Sequence, residues 1–162
     1  MASWVVNMTI DELDARLIAE LRASPRVGLL EIARRHGVAR GTVQARLAKL
    51  EARGVITGYG PEVDPAAMGY GIQAFVLLEL AQGRLDEARE ALAAVPEVIE
   101  ADAISGPMDV LCRLVARDTE HLQEVVNRVL ASPAIRRSTS YIVLSQQVRP
   151  RTGPLVDAAG RG

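Results

Sequence analysis

The first third of the chain predicts three short helices from the spacing of its hydrophobic residues. In the first helix, apolar residues recur every three or four positions: Ile10, Leu13, Leu17 and Leu21. Either Thr9 together with Glu12, or Asp11 instead, is expected to cap this helix at its N-terminus. The helix is expected to end near residue 23, because Ser24 precedes a proline.

A glycine-containing turn separates the second predicted helix from the third. The sequence LLEIARRHG predicts the second helix, with Gly37 in the left-handed conformation at its C-terminus. Its inward-facing residues are expected to be Leu30, Ile32 and Ala33. The third helix is RGTVQARLAKLEARG, residues 40–54, and its apolar face comprises Val43, Leu47 and Leu50. This arrangement predicts a helix-turn-helix of the winged type, whose third helix enters the major groove of DNA.

Beyond a region rich in glycine and proline, the pattern changes to alternating strands and helices. A short strand is expected near residue 55, followed by a linker. The expected elements are then strand 72–80, helix 85–95, strand 98–105, strand 110–116, a helix through 121–130 and strand 135–148. In the first of these helices the apolar stripe comprises Leu85, Ala88, Leu92 and Val95. The order predicts an α+β fold with a ferredoxin-like βαββαβ sandwich of one antiparallel sheet and two helices.

These elements divide the chain into four segments. The helix-turn-helix domain is expected over residues 9–57, the linker over 58–70 and the sheet domain over 71–148. Residues 149–162 lack periodicity and are expected to be disordered.

One face of the predicted sheet is expected to remain uncovered by helices. Residues 72–80 and 141–144 would place many apolar side chains on that face. A contiguous apolar patch of this kind is typical of a partner surface. We therefore expect a homodimer that buries the sheet against a second copy.

Composition and charge restrict the partners of this fold. The chain has 162 residues, of which 49% are hydrophobic and only 3% aromatic, which argues against base-stacking platforms for single-stranded nucleic acid. Its net charge of −1 means that attraction to DNA has to come from local segregation of charge. Such segregation is present, because residues 26–58 are predominantly basic and residues 79–124 are mostly acidic.

Other classes of function find little support in the residues. Cys112 is the only cysteine, so no intramolecular disulfide forms, and its alternation with Val110 and Leu114 predicts a small buried hydrophobic residue. His36 is expected to be structural or phosphate-facing, and His121 a surface residue, so we expect no catalytic residue, metal or cofactor. No apolar run is long enough for a membrane span, which predicts a soluble cytoplasmic protein.

The polar side chains at the start of the third helix are candidates for contacts with base edges. Arg40 can fork onto guanine and Gln44 onto adenine, Thr42 lies beside them, and Gly41 lets the backbone approach closely. The basic residues further along the helix are assigned to phosphates: Arg46, Lys49 and Arg53.

Over about residues 9–148 the chain resembles the Lrp/AsnC family of bacterial and archaeal regulators. The run from IDELDARL to DPAAMGY is similar to the family's DNA-binding half. EVIEADAISGPMDVLCRLVARD and IRRSTSYIVLSQQV are similar to its effector-sensing half, the RAM domain. The resemblance implies a transcriptional regulator that binds double-stranded DNA, forms dimers that commonly assemble into octamers, and responds to an amino acid or related small molecule.

The resemblance also implies an effector site near the turn after the second strand and the start of the fourth. The matching residues are Gly106, Met108, Asp109, Ser138 and Ser140. Backbone amides around Gly106 and Asp109 are expected to bind the effector's carboxylate, and the Asp109 carboxylate its ammonium, with Ser140 as a further partner. Met108 and Val110 predict an apolar pocket, which favours a hydrophobic amino acid.

The chain departs from the family pattern at several positions. Ala39 and Gly28 stand where a helix-capping serine is common, Val110 where tyrosine is usual, and Ser138 and Ser140 where threonine is usual. The missing cap at Ala39 forfeits about 1 kcal/mol of helix stability.

Two other functions are compatible with this layout. One is an architectural protein that organises DNA without an effector. The other is an enzyme similar to the siroheme decarboxylases, which share the two-domain layout. Those enzymes need basic residues and histidines in the RAM cleft, and His121 is the only histidine in this half of the chain.

Overall fold

The computed structural model describes residues 10–161, which form two compact units. Of the described residues, the first unit comprises 10–61 together with 148–161. The second unit comprises Glu62–Gln147. Thr9, one of the predicted helix caps, lies outside the described residues. No helix within the described residues is both long enough and apolar enough to cross a bilayer.

The first unit contains the three predicted helices around one aliphatic core. They are α1 (Glu12–Ala23), α2 (Leu29–His36) and α3 (Arg40–Ala52). The apolar faces of the helices meet in the core, where the most deeply buried side chains are Leu17, Ile32, Val43 and Leu50. The hydrophobic spacing of the sequence therefore identified these helices correctly.

Local signals explain where these helices begin and end. Asp11 caps α1 in a reciprocal capping box with Asp14, which confirms the second of the two predicted caps. Gly37 ends α2 in the left-handed conformation, with φ of 65°, as predicted. Gly28 and Ala39, which stand where a capping serine is common, provide no side-chain cap for α2 and α3. The first amide groups of these two helices therefore depend on backbone acceptors and solvent.

Two details of the first unit differ from the sequence-based expectation. Leu30 is 64% exposed rather than inward, and the neighbouring Leu29 packs against the core instead. The short strand expected near Val55 is not formed among the described residues. The amide groups of Val55 and Ile56 instead donate to the Leu50 carbonyl, which ends α3, so they are not available to a strand.

The second unit is a four-stranded antiparallel sheet with two helices on one face. Its elements are β1 (Ile72–Leu80), α4 (Leu85–Ala93), β2 (Val98–Ala103), β3 (Val110–Ala116), α5 (Thr119–Leu130) and β4 (Ile135–Ile142). The strand order is β2-β3-β1-β4, and every neighbouring pair is antiparallel. This is the predicted ferredoxin-like arrangement, so the α+β fold class is confirmed.

The core of the second unit lies between the sheet and its two helices. Cys112 is buried between Val110 and Leu114 on the inner face of β3, as its alternation predicted. Burial raises the pKa of the Cys112 thiol to about 11, which keeps it protonated at neutral pH.

Three elements of the second unit end earlier than predicted, and one apolar residue is exposed. β2 ends at Ala103 rather than residue 105. β4 ends at Ile142, opposite Ala74, because its partner β1 begins only two residues before that position. The helix predicted to reach residue 95 ends at Ala93. Leu85 is 51% exposed, because it lies at the first position of α4, whereas the rest of the predicted stripe is buried.

His121 is buried, which contradicts its prediction as a surface histidine. Its Nδ1 accepts a hydrogen bond from the Arg117 amide at 3.2 Å, and its Nε2 lies 3.2 Å from Glu97 Oε1. Arg128 donates to the same Glu97 oxygen at 2.7 Å and holds the pKa of that carboxyl below its ordinary value. The polar partners make burial of the imidazole tolerable inside an otherwise apolar core.

The segment after residue 148 is ordered in part, which contradicts the prediction of a disordered tail. A short helix, α6 (Gly153–Ala159), packs against α1 in the first unit. Val156 packs against the core of that unit, and Arg22 donates to Thr152 Oγ1 at 2.7 Å. The contact is close, because a Cβ atom placed on Gly160 would lie 2.4 Å from the Cβ of Ala15.

Candidate DNA interface and effector site

The outward face of α3 has small residues along its centre. Gly41, Ala45, Ala48 and Ala52 are all exposed and follow helical spacing opposite the buried stripe of Val43, Leu47 and Leu50. Small side chains at the centre allow the helix backbone to approach a surface closely. The polar and charged side chains lie to either side of this line.

The two flanks of the outward face carry different chemistry. Arg40 and Gln44 are one helical turn apart on one flank, and both are exposed. Thr42, Lys49 and Arg53 occupy the other flank, with Arg53 half-buried. The structure thus separates Arg40 and Gln44 from Lys49 and Arg53. It places Thr42, the third residue predicted to contact base edges, on the flank of Lys49 and Arg53.

Much of the basic charge on α2 is paired within the first unit. Arg35 binds Glu20 at 2.5 Å and Glu31 at 2.9 Å, and Arg34 lies 3.7 Å from Glu31. Within residues 10–161, neither Arg40 nor Lys49 has a hydrogen-bond or ion-pair partner. Of these two helices, α3 therefore carries the positive charge that is more available to a ligand.

His36 is mostly buried at the end of α2. Its Nε2 lies 3.7 Å from Glu20 Oε2, and its side chain is 14% exposed. His36 was predicted to be either structural or phosphate-facing, and its burial agrees with the structural role.

Arg46 has internal partners that the sequence analysis missed. Its guanidinium donates to Asp11 and, at 2.8 Å, to Asp14, so it joins the middle of α3 to the start of α1. The guanidinium holds the pKa of Asp11 below its ordinary value, and the carboxylates raise the pKa of Arg46. The available signal was the pair of aspartates, three residues apart, at the start of the first helix.

A groove of about 790 Å³ lies between the start of α1 and the Lys49 flank of α3. Its α1 wall carries Ile10, Asp11 and Asp14. Its α3 wall carries Gly41, Thr42, Ala45, Arg46, Lys49 and Arg53. The groove therefore has an acidic wall facing a basic one, with Arg46 bridging the two.

In the second unit, the turn between β2 and β3 holds three of the predicted effector residues. Gly106 has φ of 134°, a conformation that favours glycine, and Met108 is buried rather than lining an open pocket. The Asp109 amide donates to the Leu78 carbonyl at 2.9 Å, so it is not free for an effector as expected. One oxygen of the exposed Asp109 carboxylate accepts the Leu80 amide at 2.8 Å.

The two predicted serines lie on β4, across β1 from this turn. Ser138 is opposite Leu78, and Leu78 is opposite Val110 on its other side. Because neighbouring strands lie about 4.8 Å apart, Ser138 is about 10 Å from the start of β3. Ser140 lies two residues further along β4, opposite Val76. The structure therefore brings the turn and Ser138 to the same end of the sheet, with Ser140 further away.

An apolar groove of about 380 Å³ runs between α4 and the edge strand β2. It reaches the effector turn, because Ala103 and Val110, the residues at which β2 ends and β3 begins, both line it. Its apolar lining includes Leu85, Leu92, Val98 and Ile99. The exposed side chain of Leu85 therefore lines this groove.

The uncovered face of the sheet has the predicted apolar side chains at its centre, with the ion pairs Arg113–Glu100 and Arg137–Glu79 around them. Phe75 lies opposite Tyr141 on β4 and opposite Arg113 on β3. Phe75 is 37% exposed and Tyr141 is 56% exposed. Leu77 and Leu111 are half-buried beside them on the same face.

A helix-turn-helix unit followed by a ferredoxin-like sheet is typical of DNA-binding regulators with a separate ligand-binding domain. The model of the AsnC-type helix-turn-helix domain matches residues 10–51, and that of the Lrp/AsnC ligand binding domain matches residues 73–152. The HTH-type transcriptional regulator Rv2324 of Mycobacterium tuberculosis is 31% identical, over 86% of this chain and 95% of that protein. The chain belongs to the Lrp/AsnC family of transcriptional regulators.

Solved structures agree with this assignment. The structure of Escherichia coli AsnC has a TM-score of 0.83 and 27% identity, and covers 91% of this chain and all of that one. The feast or famine regulatory protein Rv3291c of M. tuberculosis, complexed with L-methionine, has a TM-score of 0.76 and 30% identity. That comparison covers 87% of this chain and 96% of the other. Residues 153–159, which form α6, lie outside both matched family domains.

Proposed function

We propose that this chain is a sequence-specific DNA-binding regulator whose DNA affinity or assembly responds to an amino acid. The observation that carries the proposal is the outward face of α3, where exposed Arg40 and Gln44 flank a line of small residues. Such a face fits the major groove, where arginine recognises guanine and glutamine recognises adenine through two hydrogen bonds each. Family membership supports the same reading.

Each polar residue of α3 has a role in this proposal. Arg40, Gln44 and Thr42 contact base edges, and Gly41 allows close approach of the backbone. Lys49 and Arg53 contact phosphates on the other flank and make binding dependent on salt. Arg46, which the sequence assigned to phosphates, is held by Asp11 and Asp14 within the first unit.

The proposed effector is a hydrophobic α-amino acid that binds at the turn between β2 and β3. The related Rv3291c was solved with L-methionine, which supports this ligand class. The Asp109 carboxylate binds the ammonium. Ser138 and Ser140 lie on β4, the edge of the sheet opposite the groove, so they supply their hydrogen bonds from a neighbouring copy of the chain. The Gly106 region supplies backbone donors, whereas the Asp109 amide is already used within the sheet. The apolar side chain enters the groove between α4 and β2, a role that replaces the one predicted for Met108.

The proposed assembly is a homodimer through the apolar sheet face, which further associates into octamers. Phe75, Leu77 and Tyr141 form the centre of this surface. Large exposed aromatic and aliphatic side chains in one patch are typical of a protein interface. Light scattering at micromolar concentration should therefore give at least twice the 17.4 kDa chain mass.

The experiment that tests the proposal selects duplexes from a random-sequence pool with the purified full chain. The selected duplex is then compared with a random duplex in binding assays, with and without each amino acid. We expect enriched sequences, and an amino acid that both raises the melting temperature and changes DNA affinity. The Asp109→Asn variant should lose that response but bind DNA, because asparagine keeps an acceptor for the Leu80 amide while removing the charge.

Two outcomes would contradict the proposal. If no sequence is enriched and all duplexes bind alike, the architectural function fits better. If the wild type binds a selected duplex but no amino acid changes its melting temperature or affinity, the effector part is wrong.

A further inference from the structure

A closed network of three charged side chains joins the start of α1 to the middle of α3. Asp11 Oδ1 accepts the Asp14 amide at 2.8 Å, and Asp14 Oδ2 accepts the Asp11 amide at 3.3 Å. The other oxygen of each carboxylate accepts from Arg46 Nη1. Each carboxylate thus caps the helix with one oxygen and holds the arginine with the other.

The network makes Arg46 a poor ligand for phosphate. Two carboxylates and one guanidinium give this part of the groove a net charge of −1. Asp14 is only 7% exposed, so an Arg46 side chain that swung out to a phosphate would leave a buried carboxylate unpaired. Arg46 itself is one-third exposed, and both of its bonds to the carboxylates are donated by Nη1.

We infer that Arg46 is a positioning residue and that the clamp formed by Asp11, Arg46 and Asp14 sets the placement of α3. The inference rests on the proposed DNA-binding function and deepens it. Arg46 lies two residues beyond Gln44, so a shift of α3 relative to α1 moves the base-reading residues with it. Two-bond recognition of a base tolerates little displacement, because hydrogen bonds weaken steeply with angle and distance. The clamp therefore determines how well the protein discriminates between sequences.

The Asp11→Asn variant separates this role from phosphate binding by the sign of its effect. Asparagine is as good a helix cap as aspartate, so α1 keeps its start. Its one acceptor oxygen is used by this cap, and the Nδ2 group that replaces the other carboxylate oxygen cannot accept from Arg46. If Arg46 contacts phosphates, releasing it and removing a negative charge should tighten binding to every duplex alike. If the clamp positions α3, preference for the selected duplex over a random one should instead fall several-fold.

Glu12→Gln is the matched control. Glu12 is exposed in the first turn of α1 and has no hydrogen-bond or ion-pair partner among the described residues, so its loss removes the same charge beside the clamp. We expect the control to keep the wild-type preference for the selected duplex. Arg46→Lys, which retains a cation between the two aspartates, should keep more of that preference than Arg46→Ala.

A stability cycle tests the clamp without any selected DNA. Asp11→Asn and Arg46→Ala should each lower the melting temperature of the full chain, and the double variant should lose less than the two shifts combined. Additive shifts would overturn the clamp, as would tighter binding of Asp11→Asn to both duplexes at an unchanged ratio.

If the wild type prefers no sequence, the proposed function fails on its own. In that case the stability cycle decides whether the clamp exists, and the salt dependence of binding to a random duplex decides its role. Arg46→Ala should keep the wild-type slope, and a fall of about 0.9, as for a lost phosphate contact, would overturn the inference.

Discussion

Gly160→Ala tests whether α6 is an integral part of the DNA-binding unit. The added Cβ would lie 2.4 Å from the Cβ of Ala15, whereas two carbon atoms attract each other best at about 3.5–4.0 Å. The backbone φ of Gly160 is −75°, which alanine adopts without strain. The clash with α1 is therefore the main effect of this substitution.

The magnitude follows from the two ways in which the chain can respond. Overpacking a tight contact costs about 1–3 kcal/mol. Undocking of α6 limits this cost, because it forfeits the packing of the partly buried Val156 and the exposed Arg22–Thr152 hydrogen bond, together about 1–2 kcal/mol. A domain of 60–100 residues loses about 4–8 °C of melting temperature per kcal/mol. We therefore expect the transition of the first unit to fall by about 4–16 °C.

Calorimetry of the full chain measures this transition, and Gly58→Ala is the control. Gly58 has no heavy atom within 4 Å of the position of an added Cβ, and its φ is not positive. Gly58→Ala therefore makes the same reduction in the conformational entropy of the unfolded chain, but without a clash in the folded protein. Trypsin supplies a second readout, because Arg151 precedes α6, whereas Arg149 is protected by the following proline. Gly160→Ala should be cut faster after Arg151. A variant with wild-type melting and wild-type cleavage would show that α6 is not docked on α1.

Three further predictions concern the second unit. Arg128 lowers the pKa of Glu97 in the folded protein, so the ionised carboxylate stabilises the fold at neutral pH and loses this effect as the pH falls below about 4.5. Glu97→Gln should therefore have a lower melting temperature than the wild type at pH 7, but its melting temperature should fall less between pH 5 and pH 3. Parallel plots of melting temperature against pH for the two proteins would contradict this. The buried Cys112 thiol, with a pKa of about 11, should react with a thiol reagent at pH 8 only after unfolding, and rapid reaction of the native protein would refute its burial. Phe75→Glu with Tyr141→Glu should reduce the mass in light scattering to 17.4 kDa, and an unchanged oligomer would place the interface elsewhere.

The hydrophobic pattern was sufficient for most of the architecture. The spacing of Val43, Leu47 and Leu50 predicted the buried face of α3, and two strands, Ile72–Leu80 and Val110–Ala116, were predicted with their observed bounds. These elements are long enough for their period to distinguish helix from strand. Their order then predicted the sheet topology.

The errors occur where tertiary contacts decide the outcome. The helix α6 has seven residues, too short to be stable alone, and it forms against Ala15 and the core around Val156. His121 lies on an amphipathic helix, but only the fold brings Glu97 and Arg128 together beside it. Similarly, the partners of Arg46 are more than 30 positions away in the sequence. Helical spacing identifies the face of a residue but does not identify a distant partner.

The central claim is that Arg40 and Gln44 read sequence on one flank of α3 while Lys49 on the other flank contacts phosphate. The most direct measurement is the ratio of affinities for the selected and the random duplex, across a series of salt concentrations, for the three alanine variants. Arg40→Ala and Gln44→Ala should each lower discrimination by about 1–3 kcal/mol. Lys49→Ala should weaken both duplexes alike and reduce the salt slope by about 0.9. A Lys49→Ala protein that loses specificity, while Arg40→Ala and Gln44→Ala retain it, would contradict the account.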